Sequence, residues 1–316
     1  RTGRIDIGSA LLNTSIGELA GDAHTTGADN VAVGYNALTA NTTGAYNTSV
    51  GSGALTANTT ANANTAVGYA ALNLNTTGAN NVAVGYQALN ANTTANSNTA
   101  VGKDSLLVNT TGARNTAVGK DALAANTTAS NNTAVGKSAL VANTTGASNT
   151  AVGTESLIAC TTGADNTAVG YQVMEDLTTG DYNVGVGNYA LENVTTADNN
   201  TSVGYHSLVA NTTGANNVAL GAYALDANTT ASSNVSVGYQ ALTANTTGNS
   251  NVAMGTRALA ANTTNNNSTA VGHDALRYNT GADNTAVGSV ALDANTTGTA
   301  NVAVGKGALS ANTTAS

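Results

Sequence analysis

Apolar residues recur at two fixed places in this chain, with a period of 17 residues from Asn13 onward. With residues 30–46 as the ruler, the fourth position (Val33) is Val, Ile, Leu or Met in every unit. The ninth (Leu38) is Leu except where Gly21 and Met174 stand. Between them the pattern is polar and small, reading roughly N-[TV]-A-V-G-x-x-A-L-x-A-N-T-T-G-x-x. Eighteen units follow one another; the one opening at Ser268 is a residue short, with Thr280 where the others carry Thr-Thr, and the last stops one residue early. So strict a period predicts one small supersecondary element stacked on itself.

The alternation around Val33 and Leu38 predicts two short strands per unit rather than a helix, which would need apolar residues at three- and four-residue spacing. Gly at the fifth position of every unit, Gly17 through Gly305, also argues against a helix. It marks a backbone with positive φ or a close approach to a neighbour. The fourth-position aliphatic is expected to point inward, and the third position (Ala, Ser or Gly) to form a face with no room for larger groups. The Asn that opens nearly every unit suits a ladder of stacked amides, and Asn41-Thr42-Thr43-Gly44 suits a turn.

The expected fold is therefore all-β, a parallel β-solenoid (β-roll) of about eighteen 17-residue coils. Residues 13–316 form a continuous repeat domain, and 1–12 a divergent N-terminal half-coil, cap or junction. Stacked at ~4.8 Å, eighteen coils would make a rod on the order of 86 Å long. A thin core of one Val and one Leu per coil favours association, the simplest form being a trimer that buries the small-residue face.

Asn81-Val82-Ala83-Val84-Gly85 and Asn200-Thr201-Ser202-Val203-Gly204 show the unit's core motif. On these residues the chain resembles the left-handed parallel β-roll of trimeric autotransporter adhesin heads, whose repeats carry an N-S-V-A-I-G-like signature. It is also similar to repeat regions of bacteriophage tail-fibre proteins. The resemblance spans almost the whole chain from Asn13, although adhesin head repeats are usually shorter than 17 residues. It implies left-handed coils and a fibre at a cell or virion surface, extracellular, with the chain's own copies as partners.

Composition narrows the partners. The net charge of −8 leaves no basic field for nucleic acid or anionic lipid. No apolar run approaches membrane-spanning length, and membrane insertion is not expected. Cys160 is the single cysteine, so no internal disulfide framework forms. The chain opens at Arg1, consistent with processing or with an excerpt of a longer fibre. Head-to-tail stacking of its ends into a filament is the alternative assembly.

Candidate chemistry is sparse. His24, His206 and His273 read as isolated solvated imidazoles, and no nucleophile elbow, phosphate loop or C-x-x-C occurs. No catalytic residue, cofactor or metal is expected. The repeated Thr-Thr pairs make a ligand array for ice or carbohydrate an alternative function, and a host-surface glycan or protein a further partner. Asn-Thr-Thr sequons at Asn41, Asn58, Asn75, Asn92, Asn109, Asn126 and Asn143 are candidate glycosylation sites, with plain turn residues as the competing reading. Where that twelfth-position Asn gives way to Cys160, Leu177 and Val194, nearby Glu175 and Asp176 suggest a partner-contact patch. Lys103, Lys120 and Lys137 read as a solvated stripe.

Overall fold

The computed structural model describes the backbone of residues 4–7 and the whole of 11–316. It contains two compact units, Arg1–Thr162 and Gly163–Ser316. Both are all-β, and no helix occurs among the described residues. In the first unit, β1 (Arg4–Ile7) and β2 (Thr14–Gly17) precede eight three-residue strands, from β3 (Val31–Val33) to β10 (Thr150–Val152). The second has nine three-residue strands, from β11 (Thr167–Val169) to β19 (Val302–Val304). From β2 onward each unit is a parallel β-solenoid with one coil per repeat, in register: Thr48 pairs with Thr65 and Val50 with Val67 in the first unit, Val184 with Thr201 in the second.

β1 is the exception. It runs antiparallel to β2, with Arg4 opposite Gly17 and Ile7 opposite Thr14, so this part of the segment expected as a half-coil, cap or junction lies back along the first coil. Gly8 and Ala10 of that segment lie outside the described residues.

The strand face is reversed from the sequence expectation. Ala32, Ala66 and Ala100 at the third position are fully buried, while the fourth-position aliphatics stand half-exposed on the outside. In a three-residue strand only the middle side chain can face in. The core beside it is filled from the other half of the coil by Ala37 and Leu38 and their equivalents, fully buried except in the last coil, where Leu309 is 50% exposed. A cross-section so occupied leaves room only for a small group from the strand, Ala or Ser. Each coil thus buries one large aliphatic, worth roughly 1.5–3 kcal/mol, rather than two.

The expected second strand is also replaced. The seventh and ninth positions are left-handed, as at Asn36 (φ 54°) and Leu38 (φ 52°). This tightly folded segment still pairs between coils: Asn36 N–H donates to Glu18 O at 3.1 Å, and Leu38 N–H to Ala54 O at 3.0 Å. A bulky residue at positive φ is strained, and the inter-coil hydrogen bonds together with burial of the leucine hold it there. At Gly34 the expectation stands: φ is 133°, and a Cβ would lie 2.6 Å from Gly51 O of the next coil.

Most polar interior groups are satisfied by stacking; Oδ1 of Asn143 and of Asn262, at breaks in the twelfth-position column, have no partner among the described residues. The first-position Asn47 accepts at Oδ1 from Asn64 N–H (3.0 Å) and donates through Nδ2 to Ala61 O (2.9 Å). First-position amides also meet one another, as Asn183 Nδ2 with Asn166 Oδ1 and Asn200 Nδ2 with Asn183 Oδ1, both at 3.2 Å, and a second amide-to-amide ladder stands at the twelfth position. Asn58 Nδ2 donates to Asn41 Oδ1 (2.9 Å), Asn75 to Asn58 (3.0 Å) and Asn92 to Asn75 (2.8 Å).

Candidate functional site: the outward columns

Stacking identical coils turns each outward position into a column, and the columns differ in chemistry. The strand face carries two of them. Its second position is Thr or Val, and its fourth is aliphatic throughout; Val203 is 38% exposed and Met254 43%. Such a run of neighbouring apolar groups on a flat sheet face is the kind of surface that proteins cover.

The sixth and seventh positions form a second outward surface. In the first unit Tyr69 stacks on Tyr86, with ring centroids 5.3 Å apart and planes 16° from parallel. Lys103 Nζ lies 5.6 Å from the Tyr86 ring centroid. The lysines that follow are paired with carboxylates: Lys103 with Asp104 (2.6 Å), Lys120 with Asp121 (2.7 Å) and Lys137 with Glu155 (3.3 Å). The bond to Asp104 raises the Lys103 pKa. Exposed pairs of this kind add little stability.

In the second unit, tyrosines alternate between the two positions in successive coils and interlock edge to face. Tyr171 meets Tyr189 at 5.5 Å, Tyr205 meets Tyr223 at 5.6 Å, and Tyr223 meets Tyr239 at 6.2 Å. His206, expected to be isolated, packs among them, 4.2 Å from the Tyr205 ring and 4.9 Å from Tyr189. Partial burial, then neighbouring Tyr171 and Tyr205, then Glu192 and Glu175, raise the Tyr189 pKa above its ordinary value. The signal for this column was present in the sequence as Tyr at the sixth position of one coil and the seventh of the next.

His273 likewise has a charged neighbour. Its Nδ1 is 3.3 Å from Asp274 Oδ2, and Arg257 grips the same carboxylate with Nε at 2.9 Å and Nη2 at 2.8 Å. The cluster holds an ion pair and no nucleophile. Among the described residues no group of His, Cys, Asp and Glu has the arrangement of a metal site, and no helix is long and apolar enough to cross a membrane.

The remaining sequence candidates lie inward. Cys160, Leu177 and Val194 are fully buried, because the twelfth position faces the coil interior; they offer a partner no surface there. Glu175 is half-buried and accepts from Gln172 Nε2 at 3.3 Å, while Asp176 is exposed. The sequon residues Asn41, Asn58, Asn75, Asn92, Asn109, Asn126 and Asn143 are fully buried in the amide ladder. The first Thr of most pairs is engaged too: Thr42 Oγ1 donates to Thr59 O at 3.1 Å and Thr59 Oγ1 to Thr76 O at 3.3 Å. Only the second Thr, such as Thr43, is open to a ligand.

Compared with known proteins, the chain matches no protein-family model and no curated sequence.

Proposed function

We propose that this chain is a structural element of an extracellular fibre, of phage tail-fibre or bacterial adhesin type, whose copies associate side by side through the outward strand face. The observation that carries the reading is the fourth-position column. An aliphatic side chain stands there in every unit although the position is half open to water. The sixth position, equally outward, accepts Tyr, Ser, Lys, Thr and His. Within the first unit the column from β2 to β10 is on the order of 40 Å tall at strand spacing. Covering it removes apolar surface from water at about 25 cal/mol per Å². Three chains facing a common axis is the arrangement that the resemblance to trimeric adhesin heads suggests.

The test is the solution mass, read by light scattering against the single-chain 30.8 kDa. A multiple of that mass is expected, falling to one chain in the double variant Val118→Lys, Val135→Lys with circular dichroism unchanged. A wild-type mass of one chain would overturn the reading. In electron micrographs, discrete rods fit the shaft, and threads of indefinite length would replace it with a head-to-tail filament.

A further inference from the structure

In the first unit, the coil at residues 47–63 interrupts the column of sixth-position rings. Tyr35 precedes it and Tyr69 and Tyr86 follow, but Ser52-Gly53 stands between. A cavity of about 350 Å³ opens at this gap. Its walls include the two flanking tyrosines, and the amides of Asn36, Asn73, Gln87 and Asn90 line it together with Ser52. The volume lies at the small end of ligand pockets. Neighbouring rings of this column are about one coil apart, as Tyr69 and Tyr86 show at 5.3 Å. One missing ring therefore leaves a space one ring deep.

The lining is uncharged and carries donors and acceptors in both senses. Two of its amides are held in place. Asn73 Nδ2 donates to Gly53 O at 2.7 Å and to Thr56 Oγ1 at 3.1 Å, which uses both hydrogens and leaves its oxygen to accept. Asn90 Nδ2 donates to Ala70 O at 2.9 Å. Tyr69 is backed by its stack on Tyr86. Aromatic walls with amides between them match a ring that has apolar faces and a rim of hydroxyl groups. A cation would find no carboxylate among the lining residues, and Lys103 lies just beyond Tyr86.

We propose that the gap at Ser52-Gly53 is a binding site for a neutral pyranose sugar. The C–H faces of the sugar stack against tyrosine and its hydroxyls exchange hydrogen bonds with Asn36, Asn73, Gln87 and Asn90. The site stands independently of the shaft reading, since it is formed within one chain.

The experiment titrates the full chain with the methyl glycosides of glucose, galactose, mannose and N-acetylglucosamine, following tyrosine fluorescence and saturation-transfer NMR. Tetramethylammonium chloride serves as the cationic control. At least one glycoside should bind saturably, in the millimolar range, and the ammonium ion should not compete. Ser52→Tyr fills the gap with the residue that six other coils carry at this position, so the fold is retained and binding is abolished. Gln87→Ala should weaken binding about three- to tenfold through one lost hydrogen bond. Lys120→Ala, outside the cavity, should leave it unchanged. The proposal fails if no glycoside saturates, if Ser52→Tyr binds as well as wild type, or if tetramethylammonium displaces the sugar.

Discussion

A Cβ on Gly185 would lie 2.6 Å from Cγ1 of Val173 and 2.9 Å from Cε of Met174. Gly185 holds the third position, where other coils bury Ala or Ser, and Val173-Met174 holds the place of Ala-Leu. The extra volume on one side of the core is matched by its loss on the other, as close packing requires. Gly185→Ala should therefore destabilise the protein by about 1–3 kcal/mol through overpacking. Adding Val173→Ala should recover most of that loss. Denaturant midpoints followed by circular dichroism close the double-mutant cycle; additive losses would show that the two residues do not share the space.

Two alanine–glycine exchanges should act in opposite directions. Gly34 combines φ 133° with a neighbour's carbonyl where its Cβ would be, so Gly34→Ala should lower stability by several kcal/mol or prevent folding. Ala63 is exposed at φ 56°. Ala63→Gly relieves left-handed strain and should raise stability by up to about 1 kcal/mol, less the entropy that glycine loses on folding. The same denaturation measurement checks both signs.

Folded protein made in a glycosylating secretory host should carry no glycan at the buried sequon residues. The Asn75 amide nitrogen is buried, donating to Asn58 Oδ1 at 3.0 Å and to Gly78 O at 2.9 Å, and the other ladder amides resemble it. Peptide mapping by mass spectrometry should find the ladder asparagines unmodified, whereas exposed Asn131, Asn199 and Asn267, which also stand in N-x-S/T sequences, are open to modification. Asn75→Ala tests the ladder itself: it removes these bonds and strands a buried acceptor, at a cost of about 1–3 kcal/mol.

Tyr189 should ionise above its ordinary value of 10.0, since partial burial and its tyrosine and glutamate neighbours favour the neutral phenol. A folded pKa above the unfolded one means that its contribution is present below the unfolded pKa and is lost as pH rises through the folded value. Ultraviolet titration of the native chain should show a late phenolate step that Tyr189→Phe removes. If the late step survives in that variant, it belongs to another tyrosine.

Periodicity made the solenoid, its coil length and its parallel register legible before any coordinates, because a 17-residue repeat can satisfy its backbone only by pairing with copies of itself. The invariant glycine was equally readable, and Gly34 meets both conditions the residue type implied. Which strand face points inward was not readable. Ala-Val alternation fits either orientation, and hydrophobicity favours the wrong one. The decision lies with Ala37 and Leu38, which arrive from the opposite side and leave Ala32 as the only fit. Nor did Leu38 announce its left-handed backbone, since leucine rarely adopts it; Gly21 at the ninth position and Gly53 at the seventh were the available hints.

The chain's own order of residues thus settles that coils stack and where each repeat begins. Whether a given side chain belongs to the interior or to a column facing water depends on what the far half of the coil delivers. Asn58 becomes a ladder rung, Cys160 a buried filler and Val203 an exposed apolar group only when the coil closes, because burial is a property of the assembled cross-section.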